Sequence, residues 1–425
     1  MTLTLLVLFA LCLLIGAPVA ISLGLSAGLV ILIHDLPVTV LAQRAVNTLD
    51  SSPLLAVPLF ILAASLLGAT GVTTHLFDLM RMLVGRVRGG MAHVNVLVSL
   101  IFSGMSGAAL ADIGALGGIQ IRQMVHQGYS QRFASGVTIA AATIGPIFPP
   151  SIPLIIFATA AEVSTIRALL AGVVPAIVVA VALMVQIALM ARRHDLPRDD
   201  VRPSLPAIRR KAWISLPALL APVLLVGGMI SGFFGPTEAA GVTVAYAVLI
   251  GLLVYRSLSL EGFIGCTRET VLATANVLFV VAAAALFAWV LTMDRVPARA
   301  GAWLLEVSEN PLVLLLILNL LLLVVGMFLE AIVAILIIAP IVTPALLQAG
   351  VPPEQLGVVF VLNLMLGLLT PPVGMSLYMV SIITKMPLQS VIRGVAPFYL
   401  SLFAALAMVT LIPGLSTWLP NLVMK

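Results

Sequence analysis

Gly145-Pro146-Ile147-Phe148-Pro149-Pro150 is the stretch on which the reading of this chain turns. Two consecutive prolines cannot continue a helix, because each lacks an N–H and its ring clashes with the carbonyl one turn back. The flanks, about 133–160, are long and apolar, so the break falls at membrane depth. Carbonyls freed there are costly in lipid unless protein buries them or something binds them. A second copy, Gly367-Leu-Leu-Thr370-Pro371-Pro372, stands 222 residues on. Each copy is followed 22 residues later by Gly-Val-x-Pro, at Gly172 to Pro175 and at Gly394 to Pro397. Gly104-Met105 and Gly326-Met327 share the 222-residue offset. Matches at one offset are the signature of an internal repeat.

Composition agrees with a membrane setting. Of 425 residues, 62% are hydrophobic and only 9% charged, with mean hydropathy +1.23. Soluble domains carry about a quarter charged residues. That scarcity excludes a soluble enzyme, a disordered tail and a nucleic-acid binder. Cys12 and Cys266, both in apolar surroundings, exclude a disulfide scaffold and a thiolate metal site. The first basic residue is Arg44, so no cleaved leader is expected.

The spacing predicts an all-α polytopic fold. Candidate apolar blocks are Leu3–Ile33, Pro53–Met80, Met91–Ile121, Phe133–Ala160, Ala168–Ala191, Ala212–Phe234, Ala239–Tyr255, Val271–Met293, Pro311–Gln348, Gln355–Ile383 and Val391–Leu419. Leu3–Ile33 has Gly16 and Pro18 at its centre and reads as two short spans. The blocks at about 91–122 and 311–348 have Gly or Pro inside and read as re-entrant hairpins. Those at about 133–160 and 355–383 read as broken helices.

Three units follow: a first repeat over 1–190, a basic linker over 191–211 and a second repeat over 212–425. The linker holds Arg192, Arg193, Arg198, Arg202, Arg209, Arg210 and Lys211, and the positive-inside rule places it in the cytoplasm. With the first hairpin dipping in and returning, Arg81, Arg86 and Arg88 fall on the same side. Only Arg44, Arg167, Arg295, Arg299 and Lys425 are left opposite. Pro53–Met80 then runs inward and Val271–Met293 outward, so the repeats are inverted. Inverted repeats with paired Gly/Pro-interrupted segments point to a secondary transporter, its sites near the midplane at the breaks.

The breaks offer carbonyls and the hydroxyls of Thr143, Ser151 and Thr370, a donor set suited to a hard monovalent cation; the bland alternative is two kinks satisfied by neighbouring helices. Asp112, in Ser103-Gly-Met-Ser106-Gly107-Ala-Ala-Leu-Ala-Asp112, either faces a cavity or pins its hairpin internally. Glu330 is the matching isolated acid of Gly326-Met327-Phe-Leu-Glu330. Glu238 fits the first turn of a helix, where the dipole stabilises it. Gly104-Met-Ser106-Gly107 also has the form of an intramembrane serine protease motif. That chemistry needs a base such as histidine on a neighbouring helix. Only His93 begins an apolar block near the serine. There is no phosphate-binding loop for ATP.

These residues resemble the large membrane subunit (M subunit) of tripartite ATP-independent periplasmic (TRAP) transporters, over nearly the whole chain. The resemblance rests on Ser103-Gly-Met-Ser-Gly with Ala111-Asp112, Gly145 to Pro153, Pro236-Thr-Glu-Ala-Ala240, Gly326 to Glu330 and Thr370-Pro-Pro-Val-Gly374. It implies an elevator mechanism in which a transport domain of two hairpins and two broken helices slides within a scaffold. It implies coupling to two or more sodium ions with no organic cofactor, in the bacterial inner membrane. The implied partners are a small membrane subunit (Q type) and a periplasmic solute-binding protein (P type) that delivers an organic acid.

By motif, one sodium site joins Ser103, Gly104 and Ser106 to Gly145, Pro149 and Pro150. The other joins Gly326 and Met327 to Gly367, Thr370, Pro372 and Gly374. Ser151, Ser376, Asp112 and Glu330 mark the substrate region. The chain departs from the family pattern at Met375-Ser376-Leu377, where Leu-Asn-Leu is frequent, at Glu330, where Asp is common, and at Phe157, where Tyr is frequent. With almost no Lys or Arg in the core, backbone N–H groups at helix ends are the expected anion hooks. A stand-alone or proton-coupled organic-anion transporter of a related elevator fold is the alternative.

Overall fold

The computed structural model describes residues 1–194, 196–199 and 203–424, with side chains at all of these but Ser106, Ala115 and His194. Arg202 and Lys425 lie outside the described residues. The fold is helical throughout. Among the described residues, seven helical stretches are long and apolar enough to cross a membrane.

The first half opens with α1 (Thr2–Leu14) and α2 (Val19–Ile33), separated at Gly16 and Pro18 as the sequence predicts. Gly16 has φ +82°, a left-handed turn that glycine adopts without a Cβ clash. Next come α3 (Thr39–Leu49), α4 (Ala56–Ala69) and α5 (Val72–Val84). The first hairpin is α6 (Gly90–Ser106) going in, then α7 (Ala109–Asp112), a π turn over Ile113–Gly117 and α8 (Gly118–His126) coming out. The first broken helix is α9 (Gln131–Ala142) and α10 (Ile152–Ala160), and α11 (Thr165–Ala171) and α12 (Val173–His194) close the half.

The second half runs α13 (Leu205–Ile230), α14 (Pro236–Leu249), α15 (Leu260–Met293) and α16 (Val296–Val307). Its hairpin is α17 (Pro311–Gly326) and α18 (Ala331–Gln348), and its broken helix is α19 (Pro353–Leu368) and α20 (Met375–Thr384). It ends with α21 (Leu388–Val395), α22 (Tyr399–Leu411) and α23 (Gly414–Val423). Local signals set many starts. Ser130, Ser151, Ser164, Ser204 and Ser259 each accept a backbone N–H from the first turn of the following helix. Proline stands in the first turns of α14, α17 and α19. Glu238 lies in the first turn of α14, the bland position expected of it.

Helix pairs exchange under the 222-residue offset. Helix α2 packs on α15 while α14 packs on α4. Helix α9 packs on α21 while α11 packs on α19, and α12 and α22 pack on each other. Each hairpin is tied to its own broken helix by a buried amide, the polar glue that holds helices together where lipid supplies no hydrophobic drive. Asn95 on α6 donates to Thr138 Oγ1 on α9 at 2.8 Å. Asn363 on α19 donates to Asn319 Oδ1 on α17 at 2.6 Å.

Two findings go beyond the sequence reading. Helix α15 starts at Leu260, eleven residues before the apolar block at Val271, and its 34 residues extend about 50 Å. Ser259 caps it, accepting from Gly262 N at 3.0 Å, and the cap carries the helix through the polar turn Arg268-Glu269. The linker, expected to be polar and cytoplasmic, is strapped down. The Pro197 carbonyl accepts from Gly89 N at 3.1 Å and from the Tyr129 hydroxyl at 2.7 Å. Asp199 pairs with Arg81 at 2.6 Å, and Lys211 with Asp78 at 2.8 Å.

The α9–α21 crossing depends on two glycines. A methyl on Gly136 would overlap the Gly394 carbonyl, and one on Gly394 would overlap the Arg132 carbonyl. Gly136→Val or Gly394→Val should therefore lower the thermal midpoint of the purified protein, in keeping with overpacking costs of about 1–3 kcal/mol. Gly227→Ala, at a helical glycine with open space around it, should leave the midpoint unchanged or raise it.

Candidate functional site

Each hairpin tip meets the break of its own half. At the first, Gly107 takes φ +65° and lies so close to the Pro150 carbonyl that a Cβ there would overlap it. Gly104 packs under the Pro222 and Phe148 rings, with room for no side chain. At the second, a methyl on Gly367 would come 2.5 Å from the Gly326 carbonyl carbon. Gly374, at φ +58°, donates to the Met327 carbonyl at 3.4 Å. The structure thus brings Gly104 and Gly107 to the Gly145–Pro150 break, and Gly326 and Met327 to the Gly367–Gly374 break, while the Ser103 hydroxyl turns back to its own helix. The side chain of Ser106 lies outside what is described.

Both Pro-Pro bonds, Pro149-Pro150 and Pro371-Pro372, are cis. Among the described residues no backbone N–H donates to the carbonyls of Pro149, Pro150, Pro371 or Pro372. Pro149 and Pro150 are buried. The nearby hydroxyls donate backwards along their own chains. Ser103 bonds the Ser99 carbonyl at 2.5 Å, Thr143 that of Ala140 at 2.7 Å, Thr370 that of Leu366 at 2.7 Å, and Ser151 that of Pro146. A hydroxyl that has given its proton away still has acceptor lone pairs. Carbonyls without a backbone donor beside such oxygens form a set that fits a hard cation. Among the described residues no cluster of three His, Cys, Asp or Glu side chains could hold a metal ion.

The two isolated acids sit differently. Asp112 is 5% exposed and lies against the break, so that a methyl on Gly145 would come 2.5 Å from Oδ2. Glu330 caps α18, its Oε2 accepting from Ile332 N at 3.1 Å. Ser151 and Ser376 are buried at the starts of α10 and α20.

A cavity of about 780 Å³ opens beside the first break, within the roughly 300–1,000 Å³ typical of ligand pockets. One wall is the second half of α4, including Ser65, and the first half of α15, including Cys266, Glu269 and Thr270. The other wall is the tip segment Ala108–Ala111, Pro146, Ile152 and the Glu330 cap. Of the sequence-predicted substrate-region residues, Glu330 lines this cavity; Ser151, Ser376 and Asp112 lie outside its lining. No Lys, Arg or His is among its described lining residues. Two helix-start donors expected as anion hooks are engaged by the chain itself, Leu154 N by Ser151 Oγ at 3.1 Å and Ile332 N by Glu330.

Sequence reasoning missed Glu269 and Ser65. Glu269 was hidden because the apolar block starts after it. The signal that finds it is the helical stripe Gly262, Gly265, Cys266, Glu269, Ala273, small residues at i, i+3, i+4 spacing with one acid among them.

Comparison with known proteins supplies the family. The profile described as "Tripartite ATP-independent periplasmic transporter, DctM component" matches residues 6–415. The chain is 40% identical over 411 residues to the sialic acid TRAP transporter large permease protein of Vibrio cholerae, covering 96% of this chain and 95% of that protein. It is 39% identical over 405 residues to the C4-dicarboxylate TRAP transporter large permease protein of Pseudomonas aeruginosa, covering 94% of each. Among solved structures, the YdaH transporter of Alcanivorax borkumensis matches in fold, with TM-score 0.62, 17% identity and 88% of each chain covered. The chain therefore belongs to the tripartite ATP-independent periplasmic transporter family as a large permease protein, a multi-pass transporter of the bacterial inner membrane and not an enzyme.

Proposed function

We propose that the chain imports a small organic acid in symport with sodium, as the transport subunit of a three-part system. The observation that carries this reading is the pairing of two breaks, whose Pro-Pro carbonyls receive no backbone N–H among the described residues, with a substrate-sized cavity that has no basic side chain among its described lining residues. An organic anion entering such a cavity needs positive charge from elsewhere. Cations held at the tip–break junctions would provide it. One unit charge at about 5 Å, at an effective dielectric of about 20, is worth roughly 3 kcal/mol. Anion and cation then bind more readily together than apart, which is the thermodynamic core of symport. The substrates named for the relatives, sialic acid and C4-dicarboxylates, support an organic acid. The family's description as tripartite and periplasmic supports a small membrane partner and a periplasmic binding protein.

The exchange of helix pairs at one offset supports inverted repeats, with the hairpins and broken helices as the moving body. On the topology set by the basic residues, the second half of α4 and the first half of α15 face the cytoplasm. The cavity they wall is then the inward-facing one, and the opposite state is reached when the two tip–break units slide along the scaffold.

Two tests follow. In vesicles holding the chain with its partners, Ser103→Ala or Thr370→Ala should raise the sodium concentration needed for half-maximal uptake by about tenfold, while insertion is unchanged. Undiminished uptake with unaltered sodium dependence would remove those hydroxyls from the ion sites. Uptake by the chain reconstituted alone should be negligible and should be restored by the small subunit and the binding protein. Full uptake alone would favour a stand-alone carrier, and uptake driven by a pH gradient without sodium would favour proton coupling.

A further inference from the structure

Glu269 is an acid on the first half of α15, just before its apolar block, that neither the ion sites nor the broken helices use. It stands on the stripe that faces the cavity and is exposed to it. Among the described residues it forms no ion pair. Its one hydrogen bond is a long one, from the Ser65 hydroxyl to Oε2 at 3.4 Å. The other oxygen and the remaining lone pairs are left for whatever occupies the cavity. Across the space stands the Glu330 carboxylate, one oxygen of which is taken by the Ile332 N–H. Two carboxylates therefore line one cavity without a Lys, Arg or His among its described lining residues.

An ionised carboxylate only accepts hydrogen bonds. Such a cavity rewards hydroxyl and amide N–H donors and penalises every additional negative charge, the more so because apolar walls weaken dielectric screening. We propose that Glu269 is a specificity-determining residue that selects a monocarboxylate carrying several hydrogen-bond donors, a polyhydroxylated sugar acid in class, over a compact dicarboxylate. The inference rests on the organic-acid reading above and sharpens it. Overall likeness does not make this choice, since the sialic acid and C4-dicarboxylate relatives are 40% and 39% identical. The cavity does. Its volume of about 780 Å³ also gives a sugar acid room that a four-carbon diacid does not need.

The test is binding to the purified chain with its small membrane subunit in nanodiscs, in saturating sodium chloride, read from the concentration-dependent rise in thermal midpoint. Leaving the binding protein out keeps its own selectivity from masking that of the permease. The probes are N-acetylneuraminate, gluconate and succinate. At least one of the two polyhydroxy monocarboxylates should bind about tenfold or more tighter than succinate. Glu269→Gln, which keeps the shape and removes the charge, should narrow that ratio to about threefold or less, and Glu269→Asp should preserve it. Succinate binding as tightly as the sugar acids to the wild-type protein overturns the proposal whether or not the variants fold. So does an unchanged ratio in a folded Glu269→Gln protein. In both cases the organic-acid reading stands. If none of the three anions stabilises the wild-type protein, that reading falls, and the proposal with it.

Discussion

Backbone carbonyls that lose their donors inside a bilayer must be answered by something, and at Pro149 and Pro150 the answer shapes the surrounding structure. Proline removes the N–H and unwinds the helix, and burial removes water as a substitute partner. The hairpin tip of the same half is brought in to cover the break, and it comes close only because its contact residues are glycines. At Gly107 a side chain would occupy the space of the Pro150 carbonyl. At Gly326 and Gly367 backbone rests on backbone. The hairpins thus follow from the breaks: without them the freed carbonyls would face lipid.

Duplication turns that local solution into a transport device. A single tip–break unit would be one site with one approach. Two units, in each of which a buried amide (Asn95, Asn363) ties hairpin to broken helix, are linked through the α9–α21 and α19–α11 packings, and on the proposed mechanism they would move as one body. The scaffold exchanges its own pairs, α2 with α15 and α14 with α4, around that body. Helices that exchange roles at a common offset give two end states of similar packing, which alternation between two sides of a membrane requires.

Much of this was legible in the sequence, for a physical reason. Proline and glycine report backbone geometry directly, so the two breaks, both hairpins and the Gly16–Pro18 separation could be read without side-chain contacts. What stayed hidden depends on where a helix begins and what its flank faces. Hydropathy places the start of α15 at Val271, because Arg268 and Glu269 look like a loop. Only the Ser259 cap and the packing of α4 against the first half of α15 show that these residues are helical and that Glu269 looks into a cavity. In the same way, composition could suggest that helix starts bind anions, but not that Ser151 and Glu330 occupy the Leu154 and Ile332 donors. The strapping of Pro197 to Gly89 and Tyr129 joins residues far apart in a stretch that reads only as basic and proline-rich.

The missing basic residues in the cavity bear on how an anion carrier can work at all. A lysine or arginine there would hold the anion whether or not a cation was present, and uncoupled slippage would follow. With Glu269 in the lining and no basic residue among those described there, the empty cavity offers an organic anion no attraction of its own, and one entering without cations meets the Glu269 carboxylate. On the proposed symport, cations at the two tip–break junctions would reverse that sign locally. On that reading they would ride on the moving units, while Glu269 would stay with the scaffold and act where cavity and scaffold meet. If the tip–break units carry their cations past the scaffold and release them on the inward side, the repulsion returns and favours departure of the anion. Coupling on this view resides in the absence of fixed positive charge as much as in any ligand the protein supplies.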